Sequence, residues 1–405
     1  MSGLLKVASR IMSEGGSDRI AYPSGAINAL VRSEYLDTFG PYQKAFNLHH
    51  YMKMNKMREY RIERIDRSDV AVQKYTSCAF QDGAFLSSTV DNLKPTKSYI
   101  QASRCIDEDF ESIWEETLDF KNSGAPEYDA IGTQRQNMFI ENLLEDYTVA
   151  INRMNCIGNF HDKTSTLRQD ITAEERSIWD KTTSEHKGSK RLAVDYATAK
   201  GYAWMQRTDL LKASDFSTDG SIYNESVTDL IEAFLYDNNK LKKLNKMVNG
   251  TIKTVRGQEV WPYIELSSAL YNKAVKELNA ESANPLSNDR LLNWEVVNGV
   301  RVIMYNGRVP IIPAEYVDGF DRYLNGDTHS ITISTSKNVQ FGGNWDAVSD
   351  EKEIYGFRPA VLISRGTNPS HTESYKKWNV LSTQLLMSTI VDPDLYTGAV
   401  IYVPR

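Results

Sequence analysis

Few residues of this chain stand at spacings that support catalysis or metal binding. Asp215, Ser217, Asp219 and Gly220 begin like a calcium-binding loop, with oxygen ligands at alternate positions and glycine at the sixth. The twelfth position of such a loop needs a glutamate that binds through both oxygens, and here it is Ser226. The sequence therefore favours a turn that leads into a helix.

The histidines are scattered along the chain. His49 and His50 are adjacent, so on a helix or strand they point in different directions and cannot easily share a metal. We expect them at the surface or at an interface. His161 and Asp162 are expected to form a hydrogen-bonded pair at a helix end.

A group of acidic residues could be examined for a catalytic carboxylate pair. Acids in the first turns of a helix are favoured by the helix dipole, and this is the preferred interpretation. Nor does the sequence contain the GxGxxG, GxxxxGKS/T, HExxH or GxSxG motifs of common enzyme classes. We therefore expect a protein that is not an enzyme and that uses no cofactor or metal. The acidic residues are Asp107, Glu108, Asp109, Glu111, Glu115 and Glu116.

The composition limits the class of protein further. With 405 residues, the chain is expected to hold two or more packed domains. A net charge of -6 argues against tight, general binding to nucleic acid, because neutralising phosphates needs a surplus of Lys and Arg. Cys78, Cys105 and Cys156 form no CxxC motif and indicate a reducing compartment. No apolar stretch has signal-peptide or membrane-spanning length, so we expect a protein of the cytosol or of something assembled there.

The first part of the chain is predicted to be extended. The first 45 or so residues are weakly patterned and predict an extended arm with at most one short helix, around 26–36. Such an arm has little apolar area to bury on its own body. From Lys56 to Asp69, charges occur at almost every second position. Either a long hairpin with two polar faces or an amphipathic helix fits this stretch, and from Tyr60 onward the hairpin is favoured.

Helical periodicity dominates the middle of the chain. Residues 128–157 carry an apolar stripe of helical period, and Gly158 stands where a left-handed helix end is expected. About 24 residues at 1.5 Å each make a rod of about 36 Å. Other predicted helices are 106–118, 173–182, 192–207, 223–248 and 267–278.

The last third of the chain changes to strands. Asn298-Gly299 and Asn306-Gly307 each separate two apolar runs, which is typical of two-residue hairpins whose turn residues both need positive φ. The predicted strands are 294–297, 301–305, 309–312, 331–335, 339–341, 360–363, 380–389 and 399–403, with short strands around Arg256-Gly257 and an alternating strand at 93–106.

The order of these elements resembles the major capsid proteins of tailed bacteriophages, the Hong Kong 97-like phage capsid fold. The resemblance is carried by 93–109, which is similar to the segment after the E-loop, and by 145–159, which resembles the spine helix and its glycine turn. Residues 294–313, 335–345 and 391–403 resemble the strands of the axial domain, the exit from it and the C-terminal strand.

The resemblance implies an α+β fold with named parts. It implies an N-terminal arm (1–48), an E-loop hairpin (49–92) and a peripheral domain with a long spine helix (93–215). An axial domain with a mixed sheet and helices (216–345) and C-terminal strands that return to both domains (346–405) complete it.

The same resemblance implies a structural function. Such a chain forms hexamers and pentamers that close into the icosahedral head around double-stranded DNA, with only weak non-specific DNA contact and no membrane. Portal, decoration or scaffold proteins are the expected further partners, and the virion, assembled in the bacterial cytoplasm, is the expected location. A tail or connector protein is the first alternative, and an enzyme using His161, Asp162 and the acidic helix is the second. The inter-subunit contacts are expected at Arg58, Glu59, Arg61, Glu63, Arg64, Asp66 and Arg67.

Overall fold

A computed structural model gives the architecture of the chain. It describes residues 19–21, 42, 45–46, 48–53, 60–66, 87–105, 150, 153–161, 167–183, 186–236, 241–250, 254–255, 258–282, 291–343, 345–346, 356–357, 362–365 and 377–405.

Strands and helices are mixed along the described chain. The strands are β1 (Arg19–Ala21), β2 (His50–Lys53), β3 (Tyr60–Asp66), β4 (Ser87–Leu93), β5 (Thr96–Cys105), β6 (Thr254–Val255), β7 (Gln258–Glu259), β8 (Pro262–Leu266), β9 (Leu292–Val297), β10 (Val300–Tyr305), β11 (Val309–Pro313), β12 (Gly326–Thr335), β13 (Val339–Gly343), β14 (Trp345–Asp346), β15 (Gly356–Phe357), β16 (Leu362–Arg365), β17 (Lys377–Ile390) and β18 (Tyr396–Pro404). The helices are α1 (Ala173–Thr183), α2 (Ser189–Ala199), α3 (Val227–Tyr236), α4 (Lys242–Val248) and α5 (Ser268–Ser282), with 3₁₀ turns at Ala203–Met205, Ala213–Asp215, Glu315–Tyr323 and Pro393–Leu395.

Sheet I, the first of two six-stranded sheets, joins both ends of the chain. Its order is β1-β16-β17-β13-β2, and β5 also pairs with β17. The long strand β17 is antiparallel to β5, β13 and β16, whereas β2 lies parallel to β13. Strands from the first part of the chain are therefore held by strands from the last part.

Sheet II has the order β18-β12-β8-β11-β10-β9 and is mixed, because β8 and β11 are parallel while its other pairs are antiparallel. Successive residues of a strand face opposite sides. Ile264 and Ile303 pack into the core formed with α3, α4 and α5. Their neighbours Tyr263 and Val302 pack on the other face with Phe46. Both faces of this sheet are thus covered by the chain itself.

The two predicted Asn-Gly turns are confirmed. Asn298 and Gly299 have φ of 51° and 82°, and Asn306 and Gly307 have φ of 51° and 61°. Asparagine tolerates the left-handed region because its short side chain can hydrogen-bond locally, and glycine has no Cβ to clash. These turns join β9 to β10 and β10 to β11, as the sequence predicts.

The ribbon, the name used below for β3 and β4, pairs with neither sheet among the described strands. Its antiparallel register runs from Tyr60 opposite Leu93 to Asp66 opposite Ser87. Seven residues at about 3.3 Å each give a length of about 23 Å. The hairpin interpretation is therefore confirmed over Tyr60–Asp66, and the helical alternative is wrong there.

The helix predictions are confirmed for α1 and α5, and two others need correction. The helix predicted at 192–207 is α2, which ends at Ala199, because Gly201 adopts a φ of 69°. The single helix predicted at 223–248 is two helices, α3 and α4. Asp237, Asn238 and Asn239 lie between them in the sequence, and these residue types favour helix ends over helix interiors.

Several predictions lie on residues that the structure does not describe. They are the helices at 26–36 and 106–118 and most of the helix at 128–157, of which Ala150 and the last turn at 153–156 are described. The expected left-handed end at Gly158 is confirmed, with a φ of 55° and its amide donating to the Arg153 carbonyl at 3.3 Å. No helix in the described ranges is long and apolar enough to cross a membrane.

The predicted N-terminal arm (1–48) packs on its own chain at the residues that the structure describes. Phe46 and Leu48 are buried against the Tyr263 face of sheet II, and β1 pairs with β16 in sheet I. The expectation that this segment has little apolar area to bury on its own body is therefore wrong at these residues.

Candidate functional site

Four of the seven predicted inter-subunit residues lie on the ribbon. Arg61, Glu63, Arg64 and Asp66 belong to β3, whereas Arg58, Glu59 and Arg67 lie outside the described residues. Among the described strands, β3 and β4 pair only with each other, so neither outer edge of the ribbon joins a sheet. A two-stranded hairpin is only marginally stable by itself. The ribbon therefore carries alternating charges on an element that gains from a further contact.

Sheet II has two unequal edges. The outer edge of β18 is covered, because the Arg207 amide donates to the Gly398 carbonyl at 2.8 Å and Thr397 Oγ1 donates to the Trp204 carbonyl at 2.7 Å. The opposite edge is β9, where Val296 is 71% exposed. A cavity of about 470 Å³ lies beside β9, between Phe46, Trp261, Glu295 and Arg308.

A buried ion pair joins α2 to sheet II. Lys190, the second residue of α2, places its Nζ 2.6 Å from Thr332 Oγ1, to which it donates, and 3.2 Å from Glu265 Oε1. Glu265 and Thr332 are register partners on β8 and β12, so they stand side by side under the lysine. The side chains of Lys190 and Glu265 are 2% and 6% exposed. Solvent therefore hardly screens this pair.

A second set of buried contacts joins the same segment to sheet I. Ser388 on β17 donates its hydroxyl hydrogen to the Asn155 carbonyl at 2.7 Å. His186 Nε2 lies 3.2 Å from the same hydroxyl oxygen, so the imidazole donates to it through Nε2–H. Burial lowers the pKa of His186 to about 4, which keeps the ring neutral at pH 7.

The other histidines that the structure describes contact neighbouring side chains or have lowered pKa values. His49 is 2% exposed and contacts the rings of Tyr263 and Phe341, so the expectation of a surface or interface position is wrong for it. Burial, and then the charge of Lys190, lowers the pKa of His49 to about 3. The half-buried His50, on β2, also has a lowered pKa, caused first by burial and then by Lys337.

His161 is buried and contacts Thr328 on β12. Its Nε2 lies 3.0 Å from Thr328 Oγ1, and burial lowers its pKa to about 4. Asp162, the hydrogen-bond partner predicted from the sequence, lies outside the described residues. Over the described ranges, no group of three or more His, Cys, Asp or Glu side chains could hold a metal ion.

The calcium-like loop is a turn, as the sequence favours. Asp219 accepts hydrogen bonds from the Ser217 hydroxyl at 2.5 Å and from the Ser221 amide at 3.1 Å. These bonds lower the pKa of Asp219 to about 2. His329 Nε2–H donates to the Gly220 carbonyl at 2.8 Å, which fixes the turn on β12.

The Lys190–Glu265 pair was not found from the sequence, although it leaves a signal there. Glu265 stands between Ile264 and Leu266 in a strand whose five residues are all buried. Lys190 precedes Ala193 and Tyr196 at helical spacing on the buried face of α2. A carboxylate in an apolar strand and a lysine on an apolar helix face are the two halves of a buried pair.

Cys156 is a buried thiol in the described part of the chain. It is 1% exposed, and burial, followed by the charge of Glu265, raises the pKa of its thiol well above the usual range. A thiol that stays protonated is a poor nucleophile and a poor metal ligand.

Comparisons with known proteins give matches among solved structures alone. No family model and no curated protein sequence matches the chain. The chain is similar to a chain of the Satellite phage P4 procapsid, with 9% identity, coverage of 93% of this chain and 98% of that one, and a TM-score of 0.43. For a chain of the Cyanophage Pam1 capsid, the identity is 10%, the match covers 91% of this chain and 92% of that one, and the TM-score is 0.44. For a chain of the holo-SrpI encapsulin complex from Synechococcus elongatus PCC 7942, the identity is 12%, the match covers 97% of this chain and 94% of that one, and the TM-score is 0.40. The first two are phage capsid structures, and the third is an encapsulin complex.

Proposed function

We propose that this chain is the major capsid protein of a tailed bacteriophage, which assembles into hexamers and pentamers and encloses the genome in an icosahedral shell. The observation that carries the proposal is the ribbon: a charged two-stranded element that, among the described strands, joins neither sheet. An element of this kind is suited to bind a neighbouring copy.

The physical argument is one of repetition. An exposed pair of opposite charges contributes only about 0.2–1 kcal/mol. A closed shell of identical chains repeats each such contact in every copy, so weak contacts add up without a deep binding site. The alternation of Arg61, Glu63, Arg64 and Asp66 along β3 supplies both signs of charge within one strand.

In this proposal, the two sheets would correspond to the two domains. Sheet I, with the helices before residue 216, would be the peripheral domain, and sheet II with α3, α4 and α5 would be the axial domain at the capsomer centre. The mixed strand order of sheet II and its cover of helices support this division. The C-terminal strands would return to both domains, since β17 belongs to sheet I and β18 to sheet II.

The remaining assignments follow from the same proposal. The chain would act as a structural protein without a cofactor, with portal, decoration or scaffold proteins as further partners in the virion. Its net charge of -6 suits a shell that contacts packaged DNA weakly, because the DNA must later leave. Assembly would take place in the host cytoplasm.

Electron microscopy and light scattering of the purified full-length protein test the proposal. We expect hexamers, pentamers or closed shells. Rings or tubes without closed shells would instead favour a tail or connector component. A monomer that persists at high protein concentration would contradict any assembly function.

A further inference from the structure

Residues 186–190, here called the junction, are bonded to both sheets. At one end His186 contacts Ser388 of sheet I at 3.2 Å, and at the other end Lys190 contacts Thr332 of sheet II at 2.6 Å. Between them, Gly188 lies against the backbone of Cys156. Five consecutive residues thus connect β17, the end of the helix at 153–156, and the pair of strands β8 and β12.

The stability of the fold does not explain why two charged side chains, Lys190 and Glu265, are buried here. Removing an ammonium and a carboxylate from water costs several kcal/mol for each ion, and well-packed apolar side chains of similar volume are often as stable or more stable. An apolar side chain can also pack in several offsets of similar energy. A buried lysine has far fewer choices, because its ammonium must meet both Glu265 and Thr332.

We propose that the junction fixes the angle between sheet I and sheet II, and that the Lys190–Glu265 pair defines the register in which α2 lies on β8 and β12. This inference rests on the proposed capsid function, since the angle between the two sheets then sets the curvature that each subunit gives to the shell. A shell of hexamers and pentamers closes at one size only when the geometries open to its subunit are restricted. A subunit with several permitted angles would therefore close at more than one size.

Apolar replacement of the pair tests this inference. The junction variant is Lys190→Met with Glu265→Leu, which removes both charges and leaves neither ion unpaired. The matched control is Arg168→Met with Asp170→Leu. This Arg168–Asp170 pair, at 3.1 Å, lies outside the junction, and Asp170 is 78% exposed. Thermal unfolding of the unassembled subunit and particle diameters from electron microscopy are measured for both variants and the wild type.

We expect both variants to fold, the wild type and the control to form shells of one diameter, and the junction variant to form a second population of diameters. Wild-type shells together with unchanged junction-variant shells would overturn the inference and leave the proposed function intact. A wild type that forms no shells would overturn both. Should the junction variant fail to fold, Glu265→Gln removes the ion pair at similar volume and keeps an oxygen that can accept from Lys190. An unchanged diameter for that variant overturns the inference.

Discussion

The backbone of Gly158 lies directly against the backbone of Gly188. A Cβ atom at Gly158 would stand 2.2 Å from the Gly188 nitrogen, and one at Gly188 would stand 2.6 Å from the Cys156 carbonyl oxygen. The two segments are also joined by a hydrogen bond, in which the Asn159 amide donates to the His186 carbonyl at 2.8 Å. Two glycines, each without a side chain, therefore allow the end of the helix at 153–156 to meet the start of α2.

Gly188→Ala is expected to destabilise the subunit. Gly188 has a φ of -71°, which alanine adopts without strain, so the backbone effect alone would stabilise the fold by about 0.4–1 kcal/mol. The new methyl group has to displace backbone atoms, and overpacking of this kind costs about 1–3 kcal/mol. Urea unfolding measures the difference. A midpoint equal to or above that of the wild type would show that the two backbones are not in contact.

Acid is expected to weaken the subunit through its buried histidines. The pKa of His161 and of His186 falls from 6.5 to about 4 on folding because burial disfavours the charged ring. As the pH falls, the unfolded chain binds protons on these histidines before the folded chain does. The free energy of unfolding therefore decreases between about pH 6.5 and about pH 4. Below about pH 4, these groups change it little. Each group contributes up to about 3 kcal/mol over this window.

Substitution of one histidine separates this effect from other acid titrations. His161→Gln keeps a polar partner for Thr328 but cannot titrate. The free energy of unfolding of this variant should fall less than that of the wild type between pH 6.5 and pH 4. Parallel curves for the two proteins would contradict the assignment.

Asp318 is expected to lower the stability of the subunit as the pH rises, which is opposite to the effect of the buried histidines. Burial, with the nearby charges of Glu315 and Asp327, raises its pKa to about 6, although a hydrogen bond from Ser268 acts against this. A raised carboxyl pKa means that folding favours the protonated form, so stability is lost as the pH rises from about 4 to about 6. Asp318→Asn should therefore raise the free energy of unfolding by about 1–3 kcal/mol at pH 7.5 and change it little at pH 4. An equal effect at both pH values would show that the charge is not the cause.

Local chemistry explains which parts of the fold could be predicted. Asn298-Gly299 and Asn306-Gly307 determine their turns because two adjacent residues that tolerate positive φ define a hairpin whatever the rest of the chain does. The pairing of strands far apart in sequence, such as β2 with β13 and β5 with β17, depends on contacts that no local pattern contains. The burial of Phe46 was missed for the same reason, because its partner Tyr263 lies in a distant strand.

The junction, like the strand pairing, depends on contacts between residues that are far apart in the sequence. Lys190 and Glu265 each stand in an apolar pattern, but no short window of sequence shows that they contact each other. Their meaning depends on α2 lying across β8 and β12, which places the ammonium 3.2 Å from the carboxylate. The charges of the ribbon could be found from sequence because alternation along one strand is itself a local pattern.

Charge reversal on the ribbon is expected to prevent assembly without unfolding the subunit. Arg61→Glu with Arg64→Glu changes two positions of one strand that, among the described strands, pairs only with β4. Each reversed contact replaces an attraction of about 0.2–1 kcal/mol by a repulsion of similar size, and the change recurs in every copy of the shell. Sedimentation and electron microscopy should show subunits or capsomers in place of shells.

The control for this experiment is Lys212→Glu with Lys276→Glu, which produces the same change in net charge at two exposed positions of the described body. If long-range repulsion between subunits were the cause, both double variants would lose assembly, and raising the ionic strength would restore both. Loss in the ribbon variant alone, with unchanged thermal unfolding of the isolated subunit, identifies the ribbon as the contact. Normal shells from the ribbon variant would show that its charges do not join neighbouring copies.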